Sequence, residues 1–303
     1  MHAYLIVGKN KEERNKKLKD IIVENKVDFQ IPFNLKKIED SRELKKTTKY
    51  SFSKKTAIIL EDFDQATKET VNSVLKNIGI VEACKEVIEN APLVPSYEKQ
   101  FQTDATLRTI HHGTHIEGNE LNLIQTKKIL EGQDVYGRPR DIQEVINYRN
   151  VMTLLDELVY KKGELTVETL LDIHRTTVDK IVSNEKVGVL RTTQVIIKEE
   201  ETDKIVLKPP PFVEVPYLLE DFFNWLNSDS AKEIHPVIKA GVVHYVLVAI
   251  HPFVEGNGRT VRAFTQLLLM KDGYDIKRFF SLEENFDSDL SSYYSALFKV
   301  DIN

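Results

Sequence analysis

The chain has 303 residues, a formal net charge of −5 and one cysteine, Cys84. This length allows one large or two modest domains, and an apolar fraction of 41% excludes wholesale disorder. A single cysteine excludes an internal disulfide framework and a multi-cysteine metal site, and it favours a reducing compartment. No stretch resembles a membrane span or a secretory core. We therefore expect a cytoplasmic protein without a membrane partner.

Charge is unevenly distributed along the chain, which suggests two units. Residues 1–56 hold 15 Lys/Arg against 8 Asp/Glu, a net of +7, so the remainder carries −5 − 7 = −12. Ala3–Val7 and Thr56–Leu60 have the pattern of strands, and the spacing from Thr67 predicts a helix that ends at Gly79. The first unit is thus predicted to be α/β. Its lysines are interpreted as a solvated helix face, so we expect no nucleic-acid partner.

Beyond Gly79, long helical periodicities replace the strand patterns. The exception is Thr193–Lys198, which is followed by a polar turn and by Lys204–Leu207, a pattern typical of a β-hairpin. The run Pro209–Pro211 cannot donate to a sheet and ends it. The predicted fold is mainly α with one β-hairpin, preceded by a small α/β unit, with the domains dividing the chain into residues 1–80 and 81–303.

The most informative segment is a polar loop, residues 251–256, between two apolar helical stretches. Pro252 disfavours the helical conformation at His251, and glycines at 256 and 258 permit sharp turns and a close ligand approach. The backbone amides of Gly256, Asn257 and Gly258 can then face an anion at the start of the second helix, where the helix dipole favours negative charge. The pattern predicts a phosphate cradle that lacks the lysine of a P-loop.

Charged side chains surround this cradle. Arg259 and Arg262 are three residues apart, so they project from one side of the helix start, where an anion would explain two cations. Glu255 could hold Mg²⁺, which uses one or two carboxylates plus phosphate oxygens. His251 is the candidate proton acceptor near neutral pH.

A transition-metal site is the alternative interpretation of the same region, with His235, His244, His251 and Glu255 as ligands. Only His251 and Glu255 flank the loop. His244 interrupts the preceding helix and is interpreted as a hydrogen-bonded core residue. The phosphate interpretation is therefore preferred.

The segment from His251 to Arg262 resembles the signature of the Fic family, His-x-Phe-x-Asp/Glu-Gly-Asn-Gly-Arg-x-x-Arg, at every fixed position. The resemblance runs from about Ile80 to the C-terminus. It implies a Fic-type helical domain that transfers AMP from ATP to a hydroxyl side chain (Ser, Thr or Tyr) of a target protein. The predicted hairpin would then be the flap that binds the target chain by strand addition.

The resemblance also implies a role for each matching residue. His251 would deprotonate the target hydroxyl, and Glu255 would bind Mg²⁺ on the α and β phosphates. Arg259 would pair with phosphate and Arg262 would hold the γ-phosphate. The remaining three positions would line the anion hole, namely Gly256, Asn257 and Gly258. Related toxins that phosphorylate have Lys in place of Gly258, so Gly258 favours AMP transfer.

A second family feature lies upstream. Residues 114–119 resemble the inhibitory helix of Fic proteins, here expected near 109–120, whose pattern is Ser/Thr-x-x-x-Glu-Gly/Asn. Glu117 would engage Arg262 and compete with the γ-phosphate for one guanidinium. The position four residues before Glu117 is Gly113 instead of Ser or Thr, and Thr114 comes one place late. Nearby histidines are interpreted as solvated turn residues, namely His111, His112 and His115.

The first 80 residues resemble a clamp-loader subunit around Ile58–Asp64 and the helix after it. Phosphate binding in that fold requires a glycine-rich turn with a lysine, and only Gly8-Lys9 follows the first strand. The first unit is therefore predicted to bind no nucleotide.

Three functions remain open from the sequence. AMP transfer restrained by Glu117 is preferred. Removal of AMP from a modified target would use the same residues, with Glu117 aligning a water. A non-catalytic scaffold is the alternative from a different class, and homo-oligomerisation is left open.

Overall fold

A computed structural model of the chain describes residues 29–34, 56–61, 68–198 and 205–302. Two compact units divide it: residues 1–78 with 298–303, and residues 79–297. Helices dominate the described residues. In chain order they are α1 (Lys68–Asn90), α2 (Pro95–His115), α3 (Leu123–Leu130), α4 (Pro139–Tyr160), α5 (Val167–Val178), α6 (Val215–Leu226), α7 (Asp229–Lys232), α8 (Pro236–Ile250), α9 (Asn257–Lys271), α10 (Leu282–Ser288) and α11 (Leu290–Ile302).

Four short strands are described. β1 (Phe29–Asn34) and β2 (Thr56–Glu61) pair in parallel, with Phe29 opposite Thr56. β3 (Ile197–Lys198) and β4 (Ile205–Leu207) pair antiparallel, and the residues that connect them lie outside the described residues. The expected strand Ala3–Val7, the Gly8-Lys9 turn and most of the predicted α/β unit also lie outside them. The α/β unit and the target-binding flap therefore stay predictions.

The expectation that a helix ends at Gly79 is wrong. α1 continues from Lys68 through Gly79 to Asn90. A glycine inside a helix costs about 1 kcal/mol relative to alanine, an amount that the following turns of helix offset. A glycine marks the end of a helix reliably only where the backbone must turn, and Gly79 keeps a helical conformation.

Local signals set the helix starts near the site. Pro95, Pro139 and Pro236 each occupy the first turn of a helix, where a missing N–H costs no hydrogen bond. α3 begins with a capping box in which the Asn122 side chain accepts from the Gln125 amide and the Gln125 side chain accepts from the Asn122 amide. These boundaries fix where the loops that precede the helices end.

α8 and α9 run through the hydrophobic core of residues 79–297 and are packed by α4, α5 and α6. The side chains of Leu247, Phe253, Val261 and Phe264 are fully buried there. The mainly helical fold expected from periodicity is thereby confirmed. The loop between α8 and α9 is anchored at both ends in this core.

Candidate active site

The polar loop predicted from the sequence joins α8 to α9. His251 follows the last residue of α8 in the left-handed conformation, with φ of 49°, which turns the chain out of the helix. Phe253 is completely buried and stacks on the ring of His174, with ring centroids 3.7 Å apart and planes 4° from parallel. Phe253 thus anchors the loop in the hydrophobic core.

His174, on α5, supports the same loop from the other side. Its Nδ1 accepts a hydrogen bond from the Gly188 amide at 3.0 Å, so its Nε2 carries the proton and donates to the Glu255 carbonyl at 3.0 Å. Burial lowers the pKa of His174 to about 4, which keeps this tautomer neutral near pH 7. His174 is therefore a support of the loop, and the sequence analysis did not single it out.

The turn into α9 exposes the backbone amides of the first helical turn. Gly256 has φ of 78°, and a Cβ there would overlap a methyl of Val178. The Asn257 side chain accepts from the Phe253 amide and donates to the Phe253 carbonyl, both at 2.9 Å, so it braces the loop. The backbone N–H groups at the start of α9 have no partner inside the helix. An anion at this helix start would be bound by these amides and not by the Asn257 side chain.

Arg259 lies in a network of alternating charge. Its side chain is 2% exposed and its guanidinium pairs with Glu144 at 3.0 Å and with Glu255 at 3.2 Å. Arg140 pairs with the same two carboxylates, each at 3.0 Å. The network orients Arg259 before any ligand arrives. Glu255 is the exposed member of the two acids, at 38% of its side chain against 3% for Glu144.

The sequence did not single out Glu144 or Arg140. Glu144 lies on the buried face of α4, in phase with Asp141, Tyr148 and Val151, which are all buried. A carboxylate in that helical phase is the signal that could have found it, because buried acids are rare without a cationic partner.

Arg262 is held by Glu117. The guanidinium Nη2 lies 2.9 Å from Glu117 Oε1 and also donates to the Gly113 carbonyl at 2.9 Å. Burial would raise the pKa of Glu117, but the positive charges of Arg262 and Arg259 outweigh it and lower the pKa. Burial would lower the pKa of Arg262, but Glu117 raises it. Both groups are thus charged near neutral pH.

The Glu117 carboxylate also covers the start of α9. A Cβ at Gly258 would overlap Glu117 Oε1 and would lie 3.0 Å from Arg262 Nη1. The carboxylate therefore occupies the space next to both Gly258 and Arg262, where the sequence predicts an anion.

Glu117 lies in a turn just after α2, which ends at His115, so the helix expected near 109–120 extends from residue 95 and stops before Glu117. Gly113 fits the structure because its missing side chain leaves room for the Tyr148 ring, which a Cβ would overlap. The Thr114 hydroxyl donates within its own helix, to the carbonyls of Ile110 and His111. Thr114 therefore does not replace the Ser or Thr that the resemblance expects at 113.

The interpretation of the neighbouring histidines as solvated turn residues is wrong. All three belong to α2. His112 and His115 hydrogen-bond through Nδ1 to the Asp287 carboxylate of α10, at 2.7 and 2.8 Å. Burial lowers the pKa of His111 to about 4. The i, i+3 spacing of His112 and His115 places both on one helix face. The sequence does not reveal that Asp287 lies opposite this face, because the fold alone brings α10 there.

His251 is the candidate base. Burial lowers the pKa of its imidazole to about 4; Arg191 adds to this effect, whereas Glu117 opposes it. The ring is consequently neutral and able to accept a proton near pH 7. Its Nδ1 is buried and has no hydrogen-bond partner within the described structure.

Further buried donors in this segment have no hydrogen-bond partner among the described residues, namely Arg259 Nε, Arg262 Nε and Thr260 Oγ1. A buried donor without a partner is costly, so each of these atoms requires a water or a ligand as its partner.

The transition-metal alternative finds no support. Among the described residues, no three His, Cys, Asp or Glu side chains are arranged to hold a metal ion. His235 bonds to Glu82, and His244 is buried with both ring nitrogens bonded, to Thr265 and Tyr293. The structure instead brings His251, Glu255, Arg259, Arg262 and Glu117 together around one loop.

Comparison with known proteins identifies the family of the domain that contains these residues. The model of the Fic/DOC family matches residues 164–269, which contain α8, the loop and all but the last two residues of α9. The chain carries a Fic/DOC domain, and the resemblance seen in its sequence is confirmed.

The chain is related to proteins named protein adenylyltransferase Fic. It is 30% identical over 222 residues to the protein from Drosophila erecta, covering 73% of this chain and 41% of that protein. It is 34% identical over 178 residues to the one from Drosophila grimshawi, covering 58% of this chain and 35% of that protein. The chain thus spans about two fifths of the length of these relatives.

Solved structures share the fold. A Fic family protein from Desulfovibrio desulfuricans G20 superposes with a TM-score of 0.63 at 26% identity, over 76% of this chain and 66% of that one. Residues 134–508 of Fic-1 from C. elegans give a TM-score of 0.63 at 24% identity, over 88% of this chain and 75% of that one. No described helix combines the length and hydropathy needed to cross a bilayer.

Proposed function

We propose that the chain is a protein adenylyltransferase that transfers AMP from ATP to a Ser, Thr or Tyr hydroxyl of a target protein, and that Glu117 restrains it. The observation that carries the proposal is the start of α9. Free first-turn amides, two buried guanidiniums and a neutral imidazole surround one loop there, and several buried donors have no partner. The relationship to proteins named protein adenylyltransferase supports the same activity.

The residues would divide the work as follows. The amides of residues 256–258 and the guanidiniums of Arg259 and Arg262 bind the phosphates. His251 accepts the proton of the target hydroxyl, whose oxygen attacks the α-phosphorus. The bond from the α-phosphorus to the bridging oxygen breaks, and pyrophosphate leaves. No covalent bond to the enzyme is required.

The donor set fits Mg²⁺ at Glu255. A single exposed carboxylate beside a phosphate site suits an ion that takes one or two carboxylates plus phosphate oxygens. When bound, Mg²⁺ neutralises phosphate charge. Arg140 and Arg259 both contact Glu255 Oε1, so Glu255 would have to exchange at least one of these contacts to hold the ion.

Glu117 restrains the reaction by occupying the phosphate subsite. Its carboxylate pairs with Arg262 and covers Gly258, and a γ-phosphate would need the same guanidinium. The carboxylate and the phosphate are both anions, so they cannot share the subsite. ATP would then bind poorly, or in a pose that is unsuitable for transfer, until Glu117 moves.

The test compares two labels in one reaction. The Glu117→Gly variant is incubated with Mg²⁺, whole-cell lysate and ATP labelled on either the α or the γ phosphate. We expect protein-bound label from α-labelled ATP only, and its loss on adding His251→Ala. Label from γ-labelled ATP would instead indicate phosphoryl transfer.

No label from either ATP, with ATP bound, would reject AMP transfer. In that case, loss of AMP from a premodified target would support the reverse reaction. Failure of the folded protein to bind ATP and Mg²⁺ would support a scaffold role.

A further inference from the structure

Arg191 is a buried cation without a carboxylate. The residue is 3% exposed, and no ion pair to it occurs in the described part of the chain. A buried charge is costly unless every donor is satisfied. Its surroundings therefore need an explanation that packing alone does not supply.

The hydrogen bonds described for the Arg191 guanidinium all go to backbone carbonyls. Nε donates to His251 O at 2.8 Å and Nη2 donates to Pro210 O at 2.6 Å. Weaker contacts reach Thr193 O at 3.3 Å and Ile250 O at 3.4 Å. The Arg191 amide donates to Pro252 O at 2.9 Å.

These acceptors come from separate parts of the chain. Ile250 and His251 are at the carboxyl end of α8, where unsatisfied carbonyls and the helix dipole favour a cation. Thr193 and Pro210 are at the two ends of segment 193–210, which contains β3 and β4. The planar guanidinium of Arg191 thus contacts the loop that holds the candidate base, and it also contacts both ends of segment 193–210.

The conformation of His251 gives these contacts a consequence. A non-glycine residue with φ of 49° is strained by about 1–2 kcal/mol, so its neighbours must hold it. Arg191 Nε bonds the carbonyl of this residue, and the Arg191 amide bonds the next one, Pro252. Arg191 thus contacts the backbone from which the imidazole projects, on both sides of the His251–Pro252 peptide bond.

We propose that Arg191 is a positioning residue that fixes the orientation of the His251 imidazole and couples it to segment 193–210. The proposal rests on the proposed function, because it takes His251 as the base. A macromolecule that binds to segment 193–210 would then act on the base through the Pro210 and Thr193 carbonyls. Arg191 itself does not touch the reacting atoms.

The test uses two substitutions in the Glu117→Gly background. Arg191→Lys keeps a positive charge but loses the planar fork, and Arg191→Met removes the charge and keeps much of the aliphatic length. The matched control is Arg149→Met, which removes an exposed arginine that bonds only its neighbour Asn150 among the described residues. Folding of each variant is checked by thermal denaturation.

Two readouts separate positioning from simple structural support. The first is the NMR titration of the His251 imidazole, assigned by comparison with His251→Asn. The charged groups acting on this ring are Arg191, which lowers its pKa, and Glu117, which raises it. We expect the His251 pKa to rise in both Arg191 variants, because a displaced ring loses part of the burial that lowers its pKa, and to stay at the parent value in Arg149→Met.

The second readout is the transfer rate to a protein target. We expect a loss of about 10- to 100-fold in kcat for both Arg191 variants, the range caused by a misplaced reacting group, with no such loss in Arg149→Met. A parental kcat in folded Arg191→Lys would overturn the proposal. If Arg191→Met does not fold, the kcat of Arg191→Lys alone tests the proposal.

Failure of the proposed function would look different. If Glu117→Gly transfers no AMP, the backbone NMR shifts of residues 193–198 and 208–210 are compared between the parent and the His251→Asn variant. If His251→Asn changes the NMR shifts of these residues in the parent but not in the presence of Arg191→Lys, that result would support the coupling even though the protein transfers no AMP. Unchanged shifts would contradict it.

Discussion

Glu117 Oε1 lies 2.9 Å from Arg262 Nη2, and the same carboxylate fills the space above Gly258. One acidic side chain thus covers both a guanidinium and the helix start that would bind phosphate. Four predictions follow from this contact and from the histidines around it.

The first prediction concerns Glu117 itself. Glu117→Gly removes the competing carboxylate, so ATP·Mg²⁺ should bind at least about ten times more tightly, the loss of one charged contact being worth roughly 1.5–3 kcal/mol. Isothermal titration calorimetry measures this. The matched control is Glu120→Gly, since Glu120 is an exposed acid of the same segment that pairs with Arg138. Equal affinities in the parent and Glu117→Gly would contradict competition.

The second prediction concerns the space at Gly258. A Cβ there would lie where Glu117 Oε1 now lies, so Gly258→Ala should weaken ATP binding by about tenfold or more even after Glu117 is replaced by Gly. Gly241→Ala is the control, because no atom lies within 4 Å of a Cβ at that helical position. Undiminished binding by the Gly258→Ala, Glu117→Gly double variant would show that phosphate binds elsewhere.

The third prediction concerns the pH dependence of transfer. A base acts in its neutral form, and burial lowers the pKa of His251 to about 4. The kcat/KM of the active variant should therefore change little between pH 8 and pH 6 on account of this residue. Stopped assays across that range test it. An acid limb near pH 6.5 would mean that the imidazole titrates with its ordinary pKa.

The fourth prediction concerns stability in acid and uses His244. Thr265 gives its only hydroxyl proton to the Val261 carbonyl, so His244 Nδ1 must donate to Thr265 and Nε2 must accept from Tyr293. Burial lowers the pKa of His244 to about 4. The folded protein then binds fewer protons than the unfolded chain, so stability is retained above pH 6.5 and falls as the pH drops towards 4.

Urea unfolding at pH 7.5 and pH 5 measures this effect. The parent should lose on the order of 1–3 kcal/mol more than His244→Gln between the two pH values. Equal losses in the parent and His244→Gln would mean that His244 has the same pKa in the folded and unfolded states.

The loop could be predicted from the sequence because its chemistry is contiguous. Residues 251–262 bring the base, the glycines, the acid and both arginines together in one turn and one helix start, and helical spacing alone places Arg259 and Arg262 on one side. Glu117 was found through its resemblance to a known motif. Its contact with Arg262 joins residues 145 positions apart, which no periodicity reveals.

The supports of the loop could not be predicted in the same way. Arg191, His174 and Arg140 act through contacts with distant segments, and each looks ordinary in its own sequence context. The prediction for the histidines of α2 was wrong for the same reason, since Asp287 lies 175 residues beyond His112. Single residues of this kind become interpretable only when the fold has placed their partners.

The close fit of Gly113 against Tyr148 has an evolutionary consequence. The two positions share one small volume. A homologue with Ser or Thr at 113 should therefore have a smaller or shifted residue at 148, and a homologue with an aromatic residue at 148 should have Gly at 113. The hydroxyl of Tyr148 bonds Glu283, so the exchange would reach a third position. Covariation among these three sites would show that the residue at 113 is chosen together with the ring that packs against it.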